Sequence, residues 1–142
     1  MLLAEATTLA TALFTGAAVY ITLIEHPVRL ACSNEIAVTQ WRPSYHRATV
    51  MQASLAVAGA VGGIAAWLHG EGRIWLLAGL ILGSVVPFTL LVMWPTNRQL
   101  ENETLDLSSE KARNLLVRWG NLHAVRSALG LLALITMLFL QP

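Results

Sequence analysis

Charge is scarce in this chain. Asp, Glu, Lys and Arg supply 12% of its 142 residues, about half the roughly 25% of a soluble domain. Nine basic residues against eight acidic ones leave a net charge of +1. No global field attracts polyanions, so nucleic acid is not expected as a partner. A single cysteine, Cys32, excludes an intrachain disulfide and a cysteine-rich zinc module. Internal repeats and low-complexity runs are missing, as are a Gly-rich phosphate loop and a GxSxG elbow. What the chain has instead is apolar surface: 56% hydrophobic residues and a mean hydropathy of +0.61. That combination disfavours a soluble globule and a disordered chain.

The apolar residues come in runs long enough to cross a bilayer. Leu2 to Ile24 carries only Glu5, near its outer end, and both Ala48–Leu68 and Ile74–Trp94 carry no charge. At about 1.5 Å per residue each spans a hydrocarbon core of roughly 30 Å. Leu115–Leu140 is as long, with Arg118, His123 and Arg126 in its first half. The expectation is an all-α, four-helix transmembrane bundle. It forms one integral membrane domain over residues 1–142, with spans near 2–25, 44–68, 74–94 and 113–140. The first span lacks a basic n-region and a small-residue cleavage site, so it is expected to stay in the mature protein.

Basic residues set the orientation. Arg29, Arg42 and Arg47 follow the first span, and Arg98, Lys111, Arg113 and Arg118 follow the third; Arg73 alone lies on the other face. Positive-inside logic puts both longer connections in the cytoplasm and both termini outside. A bacterial inner membrane is the expected location. Trp41, Trp94 and Trp119 near one interface, and Trp67 and Trp75 near the other, read as an aromatic belt. Pro27 and Pro95 are expected to end the first and third helices, Pro43 to open the second, and Pro87 to kink the third. Gly70-Glu71-Gly72 turns the second helix into the third. Ser108 with Glu110 marks the start of the fourth, after a polar loop from Asn97 to Leu107. Gly59/Gly63 and Gly79/Gly83 are small-residue pairs for close helix packing, within the bundle or in a homodimer.

The expensive residues gather at one membrane level. Trp119, His123 and Arg126 are spaced i, i+4, i+7 and share a helix face. A charge as deep as Arg126 should face the bundle interior or a wet cavity; the alternative is snorkelling to the interface. Thr8, Thr11, Thr15, Ala18, Thr22 and Glu25 form a stripe on the first helix. Its threonines read as bundle glue, and its terminal carboxylate as a partner for Arg126 or Arg42. Tyr45, Thr49 and Gln52 repeat the i, i+4, i+7 spacing, and Gln52 needs a buried partner. Asn97 either caps a following helix or reaches back. Together Glu25, His26, Arg42, Tyr45, His46, Gln52, Asn97, Trp119, His123 and Arg126 outline a cavity open to the inner leaflet. His26, His46 and His123 with Glu25 would suit a transition metal if they converged. Two of the histidines could also clasp a haem. No HxxxH or ExxH spacing supports either.

These motifs taken in order are similar to the anthrone oxygenase-like family of small four-helix membrane proteins. The resemblance rests on Glu25-His26-Pro27, Trp41 with Tyr45 and Gln52, Pro95-Thr96-Asn97 with Leu100, and Trp119, His123 and Arg126. It runs from about Ala12 to Leu134. It implies O2-dependent oxidation of an anthrone-like phenolic ring to a quinone, with no bound organic cofactor. In such a reaction His123 or His26 would take the ring proton. Arg126 with Tyr45 or Gln52 would hold the enolate oxygen. Trp119 and Trp41 would stack on the ring, and the apolar substrate would enter from the bilayer. Competing expectations are a metal- or haem-dependent redox protein, a quinone- or lipid-binding module without turnover, and a dimeric transporter.

Overall fold

The computed structural model describes residues 2–139; Leu140, the last residue of the fourth expected span, lies outside them. Four helices run Leu2–Ala31 (α1), Asn34–Leu68 (α2), Arg73–Glu101 (α3) and Glu110–Phe139 (α4), each long and apolar enough to cross a membrane. No strand occurs among the described residues. Helix α1 packs on α2 and α4, and α3 packs on the same two, giving an up-and-down bundle. Leu13, Leu23, Val50, Val61, Leu80 and Leu91 point outward and are exposed. Such a surface is a liability in water and the solvated face in lipid.

The helices are longer than the apolar runs because the prolines do not end them. Pro27 and Pro95 each lack the amide that would bond four residues back. In both cases a wider π turn absorbs the mismatch just upstream, over Ile21–Glu25 and Thr89–Met93. The amides of His26 and Trp94 reach five residues back, to the carbonyls of Ile21 and Thr89. The helices then continue to Ala31 and Glu101. Pro43 likewise sits inside α2, which begins nine residues earlier at Asn34, where the Ser33 hydroxyl accepts the amide of Ile36. Pro87 does interrupt α3, at Ser84. The polar connection therefore shrinks to residues 102–109. Helix α4 is capped by Ser109, whose hydroxyl accepts the amide of Ala112; Ser108 instead bonds Asp106.

Glycines set the helix spacing. Gly70 and Gly72 adopt φ of +89° and +104° in the α2–α3 turn, which L side chains rarely do. Gly63 and Gly79 cross face to face: a Cβ on Gly63 would lie 2.8 Å from the Trp75 carbonyl and 2.9 Å from the Gly79 Cα. Gly59 is covered by Thr11 and Leu82, and Gly83 faces Ala60. Both glycine pairs are thus used for close packing within the chain. Because backbone cannot yield as a side chain can, Gly63→Ala is expected to cost about 1–3 kcal/mol. Gly16→Ala meets nothing within 4 Å and should be neutral. Thermal midpoints in detergent decide this; equal midpoints for the two variants would contradict the close crossing.

Two expectations about side-chain faces change. The buried threonines of α1 are Thr7, Thr11 and Thr15, with Thr8 only half-buried. These four hydroxyls each bond the carbonyl four residues back and pack as compact apolar groups, while Thr22 of the same stripe does join two helices, bonding His123 and Ser127 of α4. Trp41, Trp75 and Trp119 are buried, leaving Trp67 and Trp94 at the surface. The belt is therefore two tryptophans, and the other three belong to the core.

Candidate functional site

The π turn in α1 re-aims the end of that helix. It carries the stripe past Glu25 and His26 to Arg29, one turn further on. Arg29 is buried and acts as a hub. Its Nε donates to the Gln40 Oε1, one NH2 group to Glu25 at 2.5 Å, and the other to the His26 Nδ1 at 3.0 Å. Glu25 also accepts from Ser44 at 2.8 Å and from Gln40 at 3.2 Å, all on Oε1. Oε2 remains for a further donor. Glu25 thus pairs with Arg29, four residues on, and with neither Arg126 nor Arg42. Arg29 itself had read only as a loop charge.

The same contacts fix the state of His26. A guanidinium has no acceptor, so the Nδ1 facing Arg29 must be bare. The proton is on Nε2, which donates to the Leu116 carbonyl at 2.9 Å. Gly120 makes room for this ring: a Cβ there would lie 2.5 Å from the His26 Cδ2. Both ring nitrogens are occupied, so His26 has no lone pair for a proton or a metal.

Aromatic rings connect this cluster to the bundle centre. Tyr45 stacks on Trp41 at 4.7 Å and 7°, and Trp41 meets Trp119 edge-on at 5.7 Å. Trp119 lies 4.8 Å from His123 at 27° and 5.0 Å from His26, with the Arg29 guanidinium 5.8 Å from its centroid. The faces expected to receive a substrate ring are largely taken by the protein's own rings. His123 Nδ1 lies 3.1 Å from the Thr22 hydroxyl, which is 2.7 Å from the Ser127 hydroxyl; Ser127 in turn donates to the His123 carbonyl. Every donor in that loop finds an acceptor if His123 carries its proton on Nδ1, and Nε2 is then the free lone pair.

Beyond His123, Arg126 donates to the Gln52 Oε1 at 3.0 Å. Asn97 reaches back from α3 and donates to the Tyr45 hydroxyl at 3.1 Å. Tyr45, Gln52, Trp41, Trp119, His123 and Arg126 line one enclosed cavity of about 10 Å³, room for about one water. It is too small for any ring.

Two expected members stand apart. Arg42 donates to the carbonyls of Leu100 and Asn102 and so closes the end of α3. His46 is largely exposed and pairs with Glu101 at 3.1 Å. The proposed three-histidine, one-carboxylate set therefore does not assemble, and the described residues hold no other group of three or more His, Cys, Asp or Glu suited to a metal. With both of its ring nitrogens occupied, His26 is not free to ligate a haem.

Ring-sized space lies on the outer side of Arg29. A groove of about 260 Å³ opens between α1 and α2, walled by Tyr20, Ile24, Val28 and Ile36 and floored by Glu25, Arg29 and Gln40. It is near the lower limit of ligand pockets, about 300 Å³. A larger open depression between the other ends of α1 and α4 has no buried charge in its wall.

Comparison with known proteins identifies relatives of the chain. Residues 41–136 match the family model described as anthrone oxygenase. The chain is 34% identical to an anthrone oxygenase of Claviceps purpurea (strain 20.1), over 82% of this chain and 75% of that one. It is 32% identical to anthrone oxygenase AgnL2 of Paecilomyces divaricatus, over 93% and 91%. A shorter match, 42% identical over 44% of this chain and 41% of the relative, is to anthrone oxygenase tpcL of Aspergillus fumigatus. No solved structure matches.

Proposed function

The chain belongs to the anthrone oxygenase family, and from that premise we propose that it oxidises an apolar, anthrone-like phenol with O2 in the lateral groove beside Glu25 and Arg29. The observation that carries this reading is the coincidence of ring-sized, lipid-facing space with a carboxylate whose Oε1 is held by three donors. The substrate would arrive from the bilayer between α1 and α2. The positive-inside count puts the groove in the cytoplasmic leaflet and the termini outside. The relatives named above are fungal, so nothing favours a bacterial membrane.

The chemistry follows from charge. A CH2 group between two aryl rings and conjugated to a carbonyl is acidic, because its carbanion is an enolate. Glu25 takes that proton on Oε2 and becomes neutral. Arg29, until then neutralised by Glu25, turns its full charge on the enolate as it forms. The carbanion passes electrons to O2 and a C–O bond forms. The remaining C–H proton is then lost as the O–O bond breaks, giving a carbonyl and water. One oxygen atom enters the product and one leaves as water, and no external reductant is consumed.

Oxygen uptake by the protein in mild detergent, supplied with an anthrone under 18O2, tests the proposal. The expected result is one O2 consumed per quinone, with one labelled atom in the product. Uptake no faster than with heat-denatured protein, or stoichiometric hydrogen peroxide without label in the quinone, would overturn it.

A further inference from the structure

A second row of polar side chains lies on the outside of the bundle. Lys111, Asn114, Arg118 and Asn121 follow one another at intervals of three and four along α4 and share a face. All four are exposed, and none has a hydrogen bond or ion pair to a described residue. Counting about 20 residues back from Phe139, the length of a span, reaches the turn that holds Arg118 and Asn121. Arg118 therefore stands at the edge of the hydrocarbon and Asn121 just inside it, on a side turned to lipid. An amide there has neither water nor protein to bond.

The upper part of the row borders an open groove of about 360 Å³. Lys111, Asn114 and Arg118 form one wall with Glu110 and Leu115, and Gln99 of α3 stands opposite. Two cations in this groove face one carboxylate. Seven residues apart, their Cα atoms are separated by about 10 Å along the axis, and two long flexible side chains can close that gap on a single phosphate. Asn121 offers two N–H donors one turn deeper. Beyond it the row turns apolar, with Val125 and Leu132 both exposed. Read from the rim inward, this face presents positive charge, then amide donors, then aliphatic surface. A second copy of the chain is a poor match for it, because a two-fold contact here sets Lys111 and Arg118 against their own counterparts.

We propose that this face of α4 is a site for one anionic phospholipid. Its phosphate sits between Lys111 and Arg118, its ester carbonyls accept from Asn121, and an acyl chain lies along Val125 and Leu132. The positive-inside count puts this end of the bundle in the cytoplasmic leaflet, which is the anionic one. The site shares no residue with the groove beside Glu25 and Arg29 and does not depend on the oxidation chemistry.

Native mass spectrometry tests it. The protein in detergent is supplied with equal amounts of phosphatidylglycerol and phosphatidylcholine carrying the same acyl chains, so that only the net charge of the headgroup differs. One phosphatidylglycerol retained per chain is expected, with a preference of about tenfold or more over phosphatidylcholine. Lys111→Gln/Arg118→Gln should abolish the preference, and Asn121→Leu should lower retention severalfold. Arg47→Gln/Arg73→Gln removes the same charge from exposed positions elsewhere and should keep both. All these positions are exposed, so the helical circular dichroism should not change. Equal retention of the two lipids by the wild type, or loss of the preference in the Arg47/Arg73 variant, would overturn the site. Retention unchanged in Asn121→Leu would overturn the placement of the ester carbonyls. A lipid-free dimer that Asn121→Leu dissociates would make the face a contact between copies and remove the lipid.

Discussion

Glu25→Gln is expected to lower kcat for phenol oxidation by about 10²–10⁴-fold, the usual contribution of a positioned general base. The substitution is nearly isosteric. The Gln oxygen still accepts from Ser44, Gln40 and Arg29, the three donors that hold Oε1. What it removes is the ability to take a proton. It also leaves Arg29 uncompensated, so a substrate that binds as a phenolate should bind no more weakly than before. The expected signature is a fall in kcat with KM unchanged or lowered, and an unaltered circular dichroism spectrum. Oxygen-electrode kinetics on matched detergent samples would show it. A variant with the wild-type rate would place the base elsewhere, and His123, with its Nδ1 oriented by Thr22, would be the group to test next.

Much of the architecture was legible because bilayer thickness is a hard constraint. Four long runs with few charges leave little freedom, and the helices fall where those runs lie. The convergence of Trp119, His123 and Arg126 followed from helical spacing alone, and all three are buried. What sequence reasoning missed turns on one proline. Treating Pro27 as a stop cut the α1 stripe at Glu25, although the step from Thr22 to Glu25 continues in the same rhythm to Arg29. The π turn before Pro27 keeps the helix going and brings Arg29 under Glu25 and His26. A local exchange of hydrogen-bond register of this kind leaves no periodic signal. Arg42 misled for a different reason. Its charge suggested a substrate or carboxylate partner, but the open carbonyls at the end of α3 claimed it first. Tryptophans near an interface are equally ambiguous. Position along the chain gives membrane depth but not which face is turned inward, so Trp41 and Trp119 could not be told from belt residues.

Arg29→Met should be the most damaging single change to stability, at about 3 kcal/mol. Methionine fills similar volume but leaves the Glu25 carboxylate, the Gln40 carbonyl and the His26 Nδ1 without their shared donor. The cost is that of stranding an anion beside lipid, and removing the anion as well should relieve it. The double variant Glu25→Gln/Arg29→Met is therefore expected to regain at least about half the lost stability, with a coupling energy of ~1–3 kcal/mol between the sites. Thermal midpoints in one detergent, taken around the full cycle, measure that coupling. Activity should behave differently. If the pair were only a structural clip, restoring the fold would restore turnover. If Glu25 accepts the proton and Arg29 faces the enolate, the double variant stays inactive however well it folds. Recovered stability with recovered oxygen uptake would therefore remove both residues from the chemistry. Recovered stability without uptake would leave them in it, and would separate the ion pair's part in the fold from its part in the reaction.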